Sequence, residues 1–123
     1  MSTQTESPLG PAYVRALSGK NFQELQELLD PEIDFLGLTP NRTWRASSAR
    51  ELVDEILTHW FDESDEIHEV VSVQTDSFAD TNRVGYRFAG RNPDGPFEVE
   101  QQAYYREHEG RITWMRVVCS GFR

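Results

Sequence analysis

The hydrophobic period of this chain changes at about residue 66, and that change limits its fold more than any other feature. Before it, apolar residues recur at helical spacing. After it come four β-rich segments, at about 67–78, 83–91, 97–107 and 111–122. Short turns join them: Ala79-Asp80-Thr81-Asn82, Asn92-Pro93-Asp94-Gly95 and His108-Glu109-Gly110. A meander with one apolar face needs a cover, and the helices ahead of it also have stripes to bury. The expected class is α+β, with the helices on one face of a curved antiparallel sheet.

The first half supplies the cover. Residues 1–10 read as a flexible polar tail, and 11–123 as a single domain. A first helix is expected from about Pro11 to Leu17, ended by Gly19. Asn21, with Glu24 three residues on, marks the start of a second, whose stripe is Phe22, Leu25, Leu28 and Leu29. Asp30-Pro31 stops it. "EIDFLGL" is then a strand, turned at Pro40-Asn41 toward a second short piece near 43–46. Ser48 and Glu51 form another capping box and open a helix lined by Val53, Ile56, Leu57 and Trp60.

Turn lengths set which strand residues face inward. A four-residue Asn92–Gly95 loop pairs Arg91 with Pro96, placing Phe88 opposite Val99, Tyr86 opposite Gln101 and Val84 opposite Ala103. A three-residue loop ending at Gly110 places Ala103 opposite Met115, Gln101 opposite Val117 and Val99 opposite Cys119. The covered face is then Val84, Tyr86, Phe88, Val99, Gln101, Ala103, Tyr105, Met115, Val117 and Cys119. The other face carries Tyr104, Ile112, Trp114 and Val118 among Arg87, Glu100, Gln102 and Arg116. An apolar patch rimmed by charge suggests a homodimer interface through Tyr104, Trp114, Arg116 and Val118.

Composition removes several function classes. Twenty-one acidic residues against 12 basic give a net charge of −9, which repels phosphate backbones and anionic lipid. Nucleic-acid and membrane partners are therefore not expected. Cys119 is the only cysteine, so no intrachain disulfide is possible. The start, "MSTQTESPLGP", has no apolar stretch of signal-peptide type, and a cytoplasmic location is the simplest expectation. His59, His68 and His108 share no metal-ligand spacing, and neither a metal nor a cofactor is expected.

The order of elements resembles the nuclear transport factor 2-like superfamily, nearest to its SnoaL-like proteins and ketosteroid isomerases. The likeness spans about residues 11–122. It rests on "YVRALSGKN", the junction "LLDPEIDFLG", the capped helix "SSARELVDEIL" and the final strand "GRITWMRVV". It implies a cone-shaped fold: three N-terminal helices packed on a strongly bent antiparallel sheet around an internal pocket, usually in a homodimer. It also sets Tyr13 where the isomerase tyrosine donates to the substrate oxygen.

The isomerase chemistry needs a carboxylate base and a protonated carboxylic acid beside that tyrosine. The acid's place falls on Gln102 or Ala103, and the base's on Phe35 or Leu36. Asp34 is the one carboxylate in "IDFLG", and it points outward if Ile33 and Phe35 face the core. The superfamily's epoxide hydrolases carry an interior Asp-Arg-Asp set, but Val117 stands where its last-strand Asp is expected, so that signature is absent.

The expected function is therefore binding of a small hydrophobic molecule, without a recognisable acid/base set, against Phe35, Trp60, Tyr86, Gln101, Tyr105, Met115 and Val117. Trp44 and Trp60 either close the mouth of the cone or only pack. An alternative is an isomerase or cyclase using Tyr13 as oxyanion donor, with Asp34 or the substrate moving the proton. A second alternative is a protein-interaction module working through the convex sheet face.

Overall fold

A computed structural model describes residues 7–123. Helix α1 is Leu9–Ser18 and α2 is Phe22–Leu28. Strands β1 (Leu29–Thr39) and β2 (Arg42–Ala46) form a hairpin. Helix α3 is α-helical over Ala49–Glu51, π-helical over Leu52–Leu57 and α-helical again over Thr58–Trp60. The meander follows as β3 (Glu66–Phe78), β4 (Thr81–Asn92), β5 (Gly95–His108) and β6 (Arg111–Cys119). No helix among the described residues is long and apolar enough to cross a membrane.

The six strands form one sheet in the order β2-β1-β6-β5-β4-β3. All neighbours are antiparallel except β1 and β6, which run parallel, so the sheet is mixed. Helix and strand sequence had suggested antiparallel pairing alone. The chain leaves β2 at one edge, passes through α3 and starts β3 at the other edge; the meander then returns strand by strand until β6 lies beside β1, running in the same direction.

Local chemistry explains most element ends. The Asn21 side chain accepts from Glu24 N at 3.1 Å. Ser48 Oγ accepts from Glu51 N at 3.0 Å, and Glu51 returns to Ser47 N at 2.9 Å. Helix α1 opens two residues before Pro11, whose missing N–H falls in the first turn, where no helical partner exists. Of the expected tail, residues 1–6 lie outside the described part, while Leu9 and Gly10 are buried. Gly19 is the C-cap but keeps a right-handed backbone; Lys20 takes the left-handed position at φ 54°. The Asn21 N–H to Ala16 O and Lys20 N–H to Leu17 O bonds close a Schellman turn there. The Lys20 ammonium then donates to the Asp62 and Asp65 carbonyls, tying α1 to the loop after α3.

The register of β4 and β5 matches expectation throughout, including Tyr86 opposite Gln101. That of β5 and β6 differs by two residues: Gln101 faces Cys119, Ala103 faces Val117 and Tyr105 faces Met115. Two single-residue effects add. His108 pairs with Arg111, leaving a two-residue turn with both Glu109 and Gly110 at positive φ, and a bulge follows at Thr113. An even offset preserves the faces beyond the bulge. Between turn and bulge it does not, and Ile112 is fully buried rather than on the outer face.

The core lies between the helices and the inner sheet face. It gathers Tyr13, Val14 and Leu17 of α1, Leu25 of α2, Ile33 and Phe35 of β1, and Leu52, Leu57 and Phe61 from the α3 region. Opposite them stand Val84, Tyr86, Phe88, Ala103, Tyr105, Met115 and Val117. Gly10 makes close contact possible, since a Cβ there would sit 2.8 Å from the Tyr105 hydroxyl.

Candidate functional site

Tyr13 is fully buried and meets Tyr86 edge to face, with ring centroids 6.3 Å apart. The Tyr86 hydroxyl donates to Gln101 Oε1 at 2.5 Å. Gln101, 1% exposed, reaches inward from the middle of β5, as alternation along that strand requires. Its Nε2 has no hydrogen-bond partner among the described residues, and neither do the Tyr13 hydroxyl and Trp60 Nε1. Three buried donor groups without partners in one core are unusual, because each costs about 1–3 kcal/mol when left unsatisfied.

Trp60 is positioned by the end of α3 and by the strand beneath it. Its ring packs on Phe35 at 6.0 Å and on Trp44 of β2 at 6.0 Å, nearly perpendicular. Gly37 of β1 leaves room for the edge of the ring there; a Cβ would approach it to 2.8 Å. Trp44 is itself held by its Nε1 bond to Thr39 Oγ1, 2.9 Å, and by the Arg42 guanidinium 3.7 Å above its ring.

Beside Trp60 and Gln101 lies a hollow of about 140 Å³. Thr39, Phe61, Val99 and Cys119 complete its walls, and Gly121 and Phe122 of the C-terminal segment form its rim. Phe122 stacks on Phe97 at 4.4 Å, and Arg123 and Glu98 exchange backbone hydrogen bonds that fix the segment. Larger depressions, about 470 and 400 Å³, lie near Arg87–Glu100 and near Gln23–Arg50, and neither is lined by Tyr13, Trp60 or Gln101.

The sequence candidates divide by place. Trp60 and Gln101 border the hollow, and Tyr86 holds Gln101 from behind. Phe35, Tyr105, Met115 and Val117 face the same interior as close-packed core and do not line it. Asp34 is on the opposite side of the sheet. Its carboxylate is well exposed and pairs with Arg116 at 3.2 Å. Ile33 and Phe35 turn inward on either side, so the geometry gives Asp34 no path to Tyr13. Phe61 and Phe122 went unrecognised in the sequence. Phe61 extends the α3 stripe by four residues from Leu57, a readable signal, whereas Phe122 is set by the turn at Gly121, φ 76°.

Among the described residues the buried carboxylate is Asp65, in an acidic loop that composition alone marks as solvated. Its oxygens accept from Asn92 Nδ2 at 3.1 Å and Asp62 N at 3.3 Å, and it does not border the hollow. Asp62 beside it is held below the usual carboxylate range, chiefly by the Ser64 hydroxyl and N–H.

Burial pushes the Tyr13 phenol well above its ordinary value near 10, opposed by the neighbouring Tyr86 hydroxyl; Tyr86 is raised for the same reason, reinforced by Tyr13. The two hydroxyls influence each other, but the Tyr86 proton is directed to Gln101, and the Tyr13 hydroxyl has no hydrogen-bond partner among the described residues. Both phenols are therefore neutral donors at physiological pH. Their raised values stabilise the fold below the unfolded-chain value, and this contribution is lost as pH climbs above about 10. The unfolding free energy is expected to fall above that pH by about 1.4 kcal/mol per unit for each phenol. Urea melts from pH 8 to 11 check this, and Tyr13→Phe is expected to halve the slope.

No protein-family profile and no curated protein matches the chain. Solved structures do. A hypothetical protein from Catenulispora acidiphila with a ketosteroid isomerase-like fold, solved with trimethylamine, aligns over 94% of this chain and 88% of its own at TM-score 0.74 and 17% identity. A nuclear transport factor 2-like protein from Burkholderia thailandensis covers 97% and 93%, at 0.68 and 17%. This chain has the nuclear transport factor 2-like fold. A provisionally assigned SnoaL-like polyketide cyclase from Shewanella putrefaciens has the same fold, covering 97% and 92% at TM-score 0.71 and 13% identity. Within this nuclear transport factor 2-like frame, the unsatisfied donors lie in the layer between the helices and the sheet.

Proposed function

We propose that this nuclear transport factor 2-like chain binds a small hydrophobic molecule in the hollow beside Trp60 and Gln101, with no acid/base pair of its own. The observation that carries the reading is an aromatic-walled hollow beside two of three buried donors that lack partners among the described residues. A ligand at about 100 times its Kd adds about 2.7 kcal/mol to stability, enough to raise Tm by several degrees. Thermal melts against a panel of lipophiles are expected to identify at least one such compound, and Asp34→Asn is expected to leave that shift unchanged. A panel with no shift would contradict the reading.

A second reading is an isomerase or cyclase in which Tyr13 steadies a developing oxyanion. It is supported by the protonated, unpartnered phenol and by the SnoaL-like cyclase among the structural neighbours. With Asp34 outside, the substrate itself would carry the proton. Removing such a donor costs about 10²–10³ in rate, so an unchanged Tyr13→Phe enzyme would end this reading.

For the outer face we propose self-association through Tyr104, Trp114, Arg116 and Val118. Val118 is half exposed beside Leu38, and Trp114 lies between the Arg106 and Arg116 guanidinium groups, at 4.2 and 4.5 Å. Light scattering is expected to give twice the chain mass; a monomer would leave the face to a different partner.

A further inference from the structure

Beyond Cys119 the chain stays beside β5, but out of step with it. Ser120 N donates to Glu100 O at 2.9 Å, and Arg123 and Glu98 exchange two backbone bonds at 2.9 and 3.0 Å. From Ser120 to Arg123 the segment therefore has one residue more than β5 has from Glu100 to Glu98, so Gly121 and Phe122 share the place opposite Val99. This is a β-bulge whose first position is a glycine in the left-handed region, at φ 76°. Ser120 Oγ completes it by accepting from Glu100 N at 2.9 Å. Pro40, in the turn between β1 and β2, backs the glycine: a Cβ on Gly121 would come 2.8 Å from Pro40 Cγ.

The extra residue reverses the direction of one ring. Cys119 pairs with inward-facing Gln101, so plain alternation would send Phe122 to the outer face. Instead its ring stacks on Phe97 at 4.4 Å and meets Phe61 at 6.2 Å, on the rim of the hollow. Phe122 is 42% exposed there, whereas Phe61 and Val99, which line the same hollow, are buried. The hollow, about 140 Å³, is close in size to the ~150 Å³ cavity that accepts a benzene ring.

We propose that Phe122 is the size-selecting residue of the hollow: its ring, turned inward by the Gly121 bulge, covers the rim and excludes occupants larger than a single ring. The purpose of this selection rests on the binding reading, but the selection itself is tested without a ligand. Uncovering the rim requires release of the Arg123–Glu98 pair and the Phe97 stack, a local opening that leaves the six-stranded pairing in place.

Cys119 is the only cysteine of the chain and lines the hollow, so its thiol reports access. N-methylmaleimide and N-phenylmaleimide carry one electrophile and differ by a ring. On the intact chain, relative to their rates with a free small thiol, the phenyl reagent is expected to react about tenfold more slowly than the methyl one, or slower still. Phe122→Ala is expected to bring the two within about threefold, and Phe122→Trp to keep them apart. Gly121→Ala retains the ring but strains the turn that aims it, and is expected to act as Phe122→Ala does. Equal treatment of the two reagents by the unaltered protein, a Cys119 that reacts with neither in any variant, or a ratio that Phe122→Ala leaves unchanged overturns the proposal. The last result includes an equal acceleration of both reagents, the mark of general loosening. The binding reading fails separately: a lipophile panel without shifts ends it, while the expected maleimide ratios would still leave Phe122 as the cover of the hollow.

Discussion

Gly90→Ala is expected to destabilise the protein by about 3 kcal/mol or more, at the severe end for a single methyl group. A Cβ at this position would sit 1.9 Å from the Glu66 carbonyl oxygen and 3.0 Å from Phe97 Cζ. The nearer neighbour is backbone, fixed where β3 begins to pair with β4 through Glu66–Arg91 and Ile67–Gly90. No rotamer change relieves it, so the strands must separate or the start of β3 must shift. Gly95→Ala is the control. It has φ +116° but nothing within 4 Å of the added carbon, and is expected to cost about 1–2 kcal/mol from backbone strain alone. Urea denaturation of the two variants compares them. A Gly90→Ala protein within 1 kcal/mol of the parent would mean that the β3–β4 junction is wrongly placed.

Phe88→Ala is expected to cost about 3–5 kcal/mol, the range for deleting a fully buried phenyl ring. Phe88 has no exposed surface and packs between Phe61, at 5.8 Å, and Tyr86, at 5.2 Å. It joins the end of α3 to the tyrosine that orients Gln101. A domain of this size has a total stability of about 5–15 kcal/mol, so the loss lowers Tm by on the order of 10 °C. Collapse around the gap is limited because the neighbours sit on the sheet and on a helix anchored by the Lys20 contacts. A loss below 1 kcal/mol would show that this wall of the core is already loose.

Much of this arrangement can be read from the chain, and the unread parts have physical causes. Strand faces follow from alternation and turn length: Tyr86 opposite Gln101 needed only the Asn92–Gly95 loop. Both capping boxes form as their spacing implies, because the side chain and the N–H it accepts from lie three residues apart. The Thr113 bulge leaves no mark in a run of β-branched and aromatic residues, and Ile112 turned inward because of it. The π-helical turn of α3 is equally silent. Leu52, Val53, Ile56 and Leu57 are buried there as a 3.6-residue period also expects, so the apolar pattern does not distinguish the two helix types. Lys20 takes the left-handed position that composition assigns to Gly19, since its ammonium gains two carbonyl partners in a loop 42 residues and more away.

The candidate site divides in the same way. Alternation shows Tyr86 and Gln101 as inward-facing and Asp34 as outward, helical spacing shows Trp60, and Tyr13 is singled out by the resemblance. That three of those polar atoms would lack partners is not legible, because satisfaction depends on distances between α1, α3 and β5 that no local pattern encodes.

The unfolding free energy of Tyr13→Phe, measured in urea at neutral pH without added ligand, tests the central claim most directly. If the Tyr13 hydroxyl lies buried without a protein partner, its removal leaves stability equal or raises it by up to about 3 kcal/mol. A loss of 1 kcal/mol or more would mean that the hydroxyl is already satisfied inside the protein, and the interior would then be ordinary core.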